Sequence, residues 1–353
     1  MLPSFRHYFP KGMYVADPLV GYRLAPNFVS EVRTPYFRYH VRTSSEGCRG
    51  PEFRPNPAKN LIALYGDSFA FGQGVEEQES FAGLLSQDLE PYNYQLLNAG
   101  VYGYATAQEY STNLRLNALY KIKTILLQVC WNDVLNQAEP VRRGVYRGYL
   151  NAELPTTTLG KIKAELLLHS EFISRLNFLA YKAKAAMAGT PDYITPNYET
   201  AKAREIESTG AVLEKWISEA KAREQRFIVL YTPLESEVDA ANAILVRSRK
   251  QGKEIDPDAA HRWLTRILAR HPEVLYADVV AAFRDHYRNG GSSLYIKGDP
   301  HTKLEGNKLI ARTVEAVLLG NTTRTVQNTP VPEDEASNRA AAQSKLEIDP
   351  VKW

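Results

Sequence analysis

Cysteine is almost absent from this chain: Cys48 and Cys130 are the only two in 353 residues. Two thiols so far apart offer neither a disulfide framework nor metal-ligand spacing. Cys130 lies in an apolar run and is expected to behave as a small buried hydrophobe. Long apolar runs are missing as well, and nothing approaches the roughly 20 residues of a membrane span. The opening residues, MLPSFRHYFPKGMYV, show no apolar signal core and no small-residue cleavage site, so a cytoplasmic location is expected. Charge of one sign is also lacking. Lysine and arginine number 43 against 40 aspartates and glutamates, a net +3 spread along the chain. No arginine-rich segment is interleaved with aromatics, which argues against a nucleic-acid partner. The seven histidines are scattered without ligand-spaced companions, so neither a metal nor another cofactor is expected.

What is present is alternation. Residues 1–56, rich in proline, arginine and tyrosine, read as an extension of short strands and loops, such as 37–41. Prolines 51, 55 and 57 mark the join to the main unit at 57–320. From there strands at 61–65, 94–98, 124–129 and 226–231, with a shorter one near 274–277, alternate with helical patterns at 77–89, from 105, at 199–223, 259–271 and 303–319. Uniformly apolar strands between helices predict a parallel sheet covered on both faces. Residues 136–196 interrupt the alternation and read as a helical insertion, with a helix over 166–186, that is either a substrate-contacting layer or a packed surface pair. The tail 321–353 is polar, carries prolines 330, 332 and 350, and reads as disordered.

In such a sheet, ligands collect beyond the carboxyl ends of the strands. Four stretches place chemistry there. Gly66-Asp67-Ser68 ends the first strand, where the two polar residues either cap the next helix or hold a serine to react. Asn98-Ala99-Gly100-Val101-Tyr102-Gly103 follows the second, and bare backbone N–H groups there suit an oxyanion or simply a turn. Trp131-Asn132-Asp133 follows TILLQVC, offering a side-chain donor or another cap. Asp299-Pro300-His301 precedes the last helix, and a carboxylate two residues from a histidine can hold its imidazole in one tautomer.

The order GDS, N-x-G-x-x-G, N-D after a buried strand and D-x-H before the last helix resembles the SGNH (GDSL-type) hydrolase family over 61–319. The stretch Asp17 to Asn27, DPLVGYRLAPN, is also similar to a leader ahead of some bacterial members associated with polysaccharide synthesis. The resemblance implies a flavodoxin-like three-layer α/β/α fold with Ser68 as nucleophile, His301 as base and Asp299 as its orienting acid. It further implies an oxyanion hole built from the N–H groups of Ser68 and Gly103 and the Asn132 side chain. Two departures stand out. The family's glycine two positions before the asparagine is Cys130 here, and its aspartate three residues before the histidine is replaced by Gly298, leaving Asp299 to serve. Phe69 and Ala70 after Ser68 are not the G-x-S-x-G elbow of ordinary α/β-hydrolases.

The leading expectation is an esterase cleaving an O-acyl ester through an acyl-serine, with acetyl on a carbohydrate as the type of substrate. The same intermediate would serve an O-acyltransferase that passes the group to a glycan hydroxyl. A non-catalytic glycan-binding or scaffold protein is the third reading. The partner expected is a small-molecule or carbohydrate ester; oligomeric state is not legible.

Overall fold

The computed structural model describes residues 9–34, 36–135, 144–151, 154–187, 203–239 and 256–320. The expected tail lies outside them, as do residues 136–143, 152–153 and 188–196 of the expected insertion. Two antiparallel hairpins come first, β1 (Tyr14–Asp17) with β2 (Gly21–Leu24) and β3 (Val29–Arg33) with β4 (Arg38–Arg42). Strands β5 (Asn60–Tyr65), β6 (Tyr94–Asn98) and β7 (Ile122–Val129) follow, then a small hairpin, β8 (Gly144–Tyr146) with β9 (Tyr149–Asn151), and finally β10 (Arg226–Tyr231) and β11 (Leu275–Ala277). Five of these form one sheet in the order β6-β5-β7-β10-β11, with every pairing parallel.

The helices are α1 (Ser68–Phe71), α2 (Phe81–Asp88), α3 (Thr106–Asn117), α4 (Trp131–Leu135), α5 (Thr158–His169), α6 (Glu171–Met187), α7 (Ala203–Ala222), α8 (Glu235–Val238), α9 (Ala259–Leu268), α10 (Val279–Arg288) and α11 (Leu304–Leu318). Helices α2, α10 and α11 pack together on one face of the sheet, and α3 packs with α7 on the other. The result is a three-layer α/β/α fold. Residues 61–65 and 124–129 are all buried, which is why they read as unbroken apolar runs. Counted among the sheet strands alone, the order is 2-1-3-4-5, the flavodoxin-like order, and its direction reverses between β5 and β7.

Two expected helices are each broken at a serine. Residues 77–89 divide into a 3-10 turn (Glu77–Glu79) and α2, because the Ser80 hydroxyl accepts the Gly83 N–H at 3.1 Å and starts a new helix. The expected helix over 166–186 is likewise the end of α5 and most of α6, with Ser170 extended between them and its hydroxyl accepting Ile173 N–H. Helix α10 is not among the helices expected from the sequence. Asp278 caps it, accepting from Ala281 N at 3.0 Å, and Val279, Val280 and Phe283 bury one face. Among the described residues no helix is long and apolar enough to cross a membrane.

The extension is joined to the sheet unit by a shared apolar cluster. Tyr14, Tyr22, Leu24, Val32, Tyr39 and Val41 pack with Phe71 of α1 and with Val101 and Tyr104 of the loop beyond β6. Tyr104 and Tyr22 also exchange hydroxyl contacts with that layer, Tyr104 Oη donating to Tyr22 O at 2.6 Å and Tyr22 Oη to Tyr102 O at 2.8 Å. The Tyr104 and Tyr22 hydroxyls thus both have partners, as burial favours.

Candidate active site

Strand β5 ends at Tyr65, and the chain turns at Gly66 with φ at +151°. A Cβ there would lie 2.4 Å from Gln128 Oε1 and 2.7 Å from Ala70 Cβ, so only glycine lets the turn close against β7. Gln128, fully buried on β7, accepts the N–H groups of Asp67 and Ala70, both at 3.2 Å. The turn is therefore anchored from the neighbouring strand.

Asp67 is the N-cap of α1, and its Oδ1 accepts Phe69 N–H at 2.9 Å. The capping role falls on the aspartate, which leaves the serine's hydroxyl for another partner. That partner is His301: its Nε2 lies 2.7 Å from Ser68 Oγ across 233 residues of sequence. Asp299 Oδ1 lies 2.5 Å from the other ring nitrogen, Nδ1, and also accepts the His301 backbone N–H at 3.1 Å. The Phe69 ring covers the imidazole at 5.0 Å. The Ser68, His301 and Asp299 side chains are thus in one hydrogen-bonded line, shielded from bulk water.

The loop after β6 is stitched beside this turn. Val101 N–H donates to Gly66 O at 3.0 Å, Asn98 Nδ2 donates to Ala70 O at 2.9 Å, and Asn98 Oδ1 accepts Gly100 N–H. A Cβ on Gly100 would sit 2.4 Å from Phe71 N, so the glycine permits close approach to α1. Gly103, half-buried at φ +69°, lies on the turn that follows.

Asn132 lies in the first turn of α4, just beyond β7, and its Nδ2 donates to Asp67 Oδ2 at 2.8 Å. An amide carries two donor protons, so one remains after that bond. The same carboxylate oxygen lies 3.3 Å from both Ser68 Oγ and Cys130 Sγ. Cys130 therefore faces the Asp67–Asn132 pair, and burial first, then the Asp67 charge, push its thiol well above the ordinary range. It stays a protonated, unreactive thiol. Behind it, Asp133 Oδ2 accepts Cys130 N–H, and burial followed by the charge of Asp67 raises the Asp133 pKa well above the carboxylate range. Glu109 on α3 is raised likewise, by burial and then by Asp133 and Asp67, and its carboxyl oxygens have no hydrogen-bond partner among the described residues.

Every residue singled out from sequence as catalytic lies beyond the carboxyl ends of the strands, at or beside the switch point between β5 and β7. Two supporting residues carry no motif in the sequence. Gln128 was visible only as one polar letter in TILLQV, a signal worth heeding because buried amides need partners. Arg49, 5% exposed, donates to Phe71 O, to Gly72 O at 2.5 Å and to Val75 O at 2.8 Å, and its guanidinium lies 4.6 Å over the Phe71 ring. It neutralises the carbonyls at the end of α1 from a segment with no motif of its own.

No family model and no curated protein sequence matches the chain. Solved structures similar to it include a lipolytic protein of the G-D-S-L family from Veillonella parvula DSM 2008, at 15% identity, 73% coverage of this chain, 98% of that one and a TM-score of 0.41. LAE5, an alpha/beta hydrolase from the metagenome of Lake Arreo, gives 17% identity, coverage of 75% and 98%, and a TM-score of 0.45. The acetyl xylan esterase AlAXEase gives 13%, 72% and 98%, and 0.44.

Proposed function

We propose that this chain is a serine esterase of the SGNH (GDSL-type) hydrolase family, cleaving an O-acyl ester through an acyl-serine. The observation that carries the reading is the 2.7 Å approach of His301 Nε2 to Ser68 Oγ, with Asp299 on Nδ1. A serine hydroxyl is a weak nucleophile until a base removes its proton. In this reading Ser68 Oγ attacks the ester carbonyl carbon while its proton passes to His301 Nε2. Asp299 holds the ring in the required tautomer and stabilises the imidazolium. The carbonyl oxygen becomes an alkoxide, met by the N–H groups of Ser68 and Gly103 and by the remaining Asn132 amide proton. One such donor is typically worth about 2.7–4 kcal/mol in the transition state. His301 then returns the proton to the departing alcohol. Water, deprotonated by the same ring, attacks the acyl-serine carbonyl; the bond to Ser68 Oγ breaks, His301 returns the proton to that oxygen, and the acid is released. A carbohydrate O-acetyl ester is the substrate type proposed.

Transfer of the acyl group to a glycan hydroxyl instead of water is the second reading, favoured by the D-x-H spacing, which this geometry accommodates. One experiment addresses both. A fluorophosphonate probe is expected to label Ser68 alone, mapped by peptide mass, and Ser68→Ala to abolish both labelling and 4-nitrophenyl acetate hydrolysis. Because Asp67 supplies the cap, that variant should keep its thermal midpoint within a few degrees. Turnover that persists in Ser68→Ala rules out the nucleophile, and turnover seen only with a glycan acceptor replaces hydrolysis by transfer.

A further inference from the structure

The hairpin β3–β4 of the extension reaches both halves of the site. Its tip is closed by Thr34, whose N–H donates to Phe37 O at 2.9 Å and whose Oγ1 accepts from Tyr36 N at 3.2 Å and Phe37 N at 3.1 Å. Tyr36 thereby takes a set position against the turn that carries Asp299 and His301. A Cβ built on Gly298 would fall 2.7 Å from Tyr36 Cε1 and 2.8 Å from Cδ1, and Gly298 itself has φ +84°. The ring and the backbone of that turn are thus in direct contact, in a conformation that favours glycine. The turn is otherwise pinned by Asp299 N–H to Ile296 O at 3.0 Å and Ile296 N–H to His301 O at 2.9 Å. A few residues on, Tyr39 packs against Arg49, whose guanidinium lies 5.3 Å from its ring centre, and Arg49 holds the carbonyls that end α1.

Building on the esterase reading, we infer that Tyr36 is a positioning residue: its ring braces the 296–301 turn so that Asp299 and His301 meet Ser68. The physical need is plain. Ser68 sits on a helix tied to the sheet, whereas Asp299 and His301 sit on a turn some 230 residues later. A displacement of about 1 Å between reacting groups can lower a rate by about 100-fold. The brace also accounts for the aspartate at 299 and not 298: a side chain at 298 would occupy the space that the Tyr36 ring fills.

The test is a double-mutant cycle on the full chain, reading kcat and KM for 4-nitrophenyl acetate. Tyr36→Ala is expected to lower kcat by about 10- to 100-fold with KM within twofold, and Tyr36→Phe to retain native kcat. Asp299→Asn is expected to cost far less in the Tyr36→Ala background than in the native chain, because Tyr36 acts through Asp299. Native kcat in Tyr36→Ala, or losses that multiply in full, overturns the inference. Tyr36→Leu, which keeps bulk without the aromatic ring, replaces the alanine variant should the latter not fold. A native chain without Ser68-dependent turnover overturns the esterase reading and this inference together; Ser68-dependent turnover that Tyr36→Ala leaves intact overturns only the inference.

Discussion

Replacing Asp67 separates its two tasks, because its two carboxylate oxygens serve different groups. Oδ1 accepts Phe69 N–H as the cap of α1, and Oδ2 accepts Asn132 Nδ2. Asparagine caps nearly as well as aspartate, so Asp67→Asn keeps the first bond. Its amide nitrogen would then face the Asn132 amide nitrogen, donor against donor, in a site where Asp67 is fully buried. A buried donor left without an acceptor costs about 1–3 kcal/mol, which is the destabilisation expected for Asp67→Asn. Asp67→Ala loses the cap too, adding about 0.5–2 kcal/mol. Activity should respond more uniformly. Both variants release the Asn132 amide, and loss of one oxyanion donor lowers kcat by about 10²–10³-fold. Urea denaturation midpoints with constant slope give the stability change, and 4-nitrophenyl acetate kinetics give kcat. Should Asp67→Asn keep kcat within twofold of native, Asp67 does not aim Asn132 and the proposed donor set is wrong.

Two further outcomes follow from the surroundings of the site. Burial, then the charges of Asp133 and Asp67, raise the Glu109 pKa well above that of an unfolded glutamate, which releases its proton above about pH 4.3. The folded chain then binds more protons, so stability falls as pH rises above that value, by up to about 1.4 kcal/mol per pH unit for one proton. Glu109→Gln should therefore stabilise the chain more at pH 7 than at pH 4, read from denaturation midpoints; an equal effect at both pH values contradicts the burial argument. Gly66→Ala places a methyl 2.4 Å from Gln128 Oε1 and should cost at least about 1–3 kcal/mol through overpacking, with loss of esterase turnover. An alanine variant of native stability would mean that the turn does not need its close approach to β7.

Local chemistry and periodicity were enough to read the sheet unit from sequence. Runs such as 61–65 and 226–231 are buried on both faces, so every letter carries the same signal. Boundaries were read less well where a single hydroxyl decides them, as at Ser80 and Ser170. The question raised by Gly66-Asp67-Ser68 could not be answered locally, since aspartate and serine are both good caps. The fold brings Gln128 from the neighbouring strand and His301 from beyond the last one to that turn, which leaves Asp67 as the cap and Ser68 Oγ against an imidazole.

By itself the sequence determined the layered α/β plan and the residue types at the four strand and helix junctions, because periodicity, capping and turn chemistry act over a few residues. Only tertiary structure decided which of those junctions touch, that a glutamine and an arginine without motifs hold the serine's helix, and that a tyrosine of the extension lies on the glycine next to Asp299. Hydrogen bonds and ring contacts reach a few ångströms whatever the number of residues between the partners, so packing alone makes them.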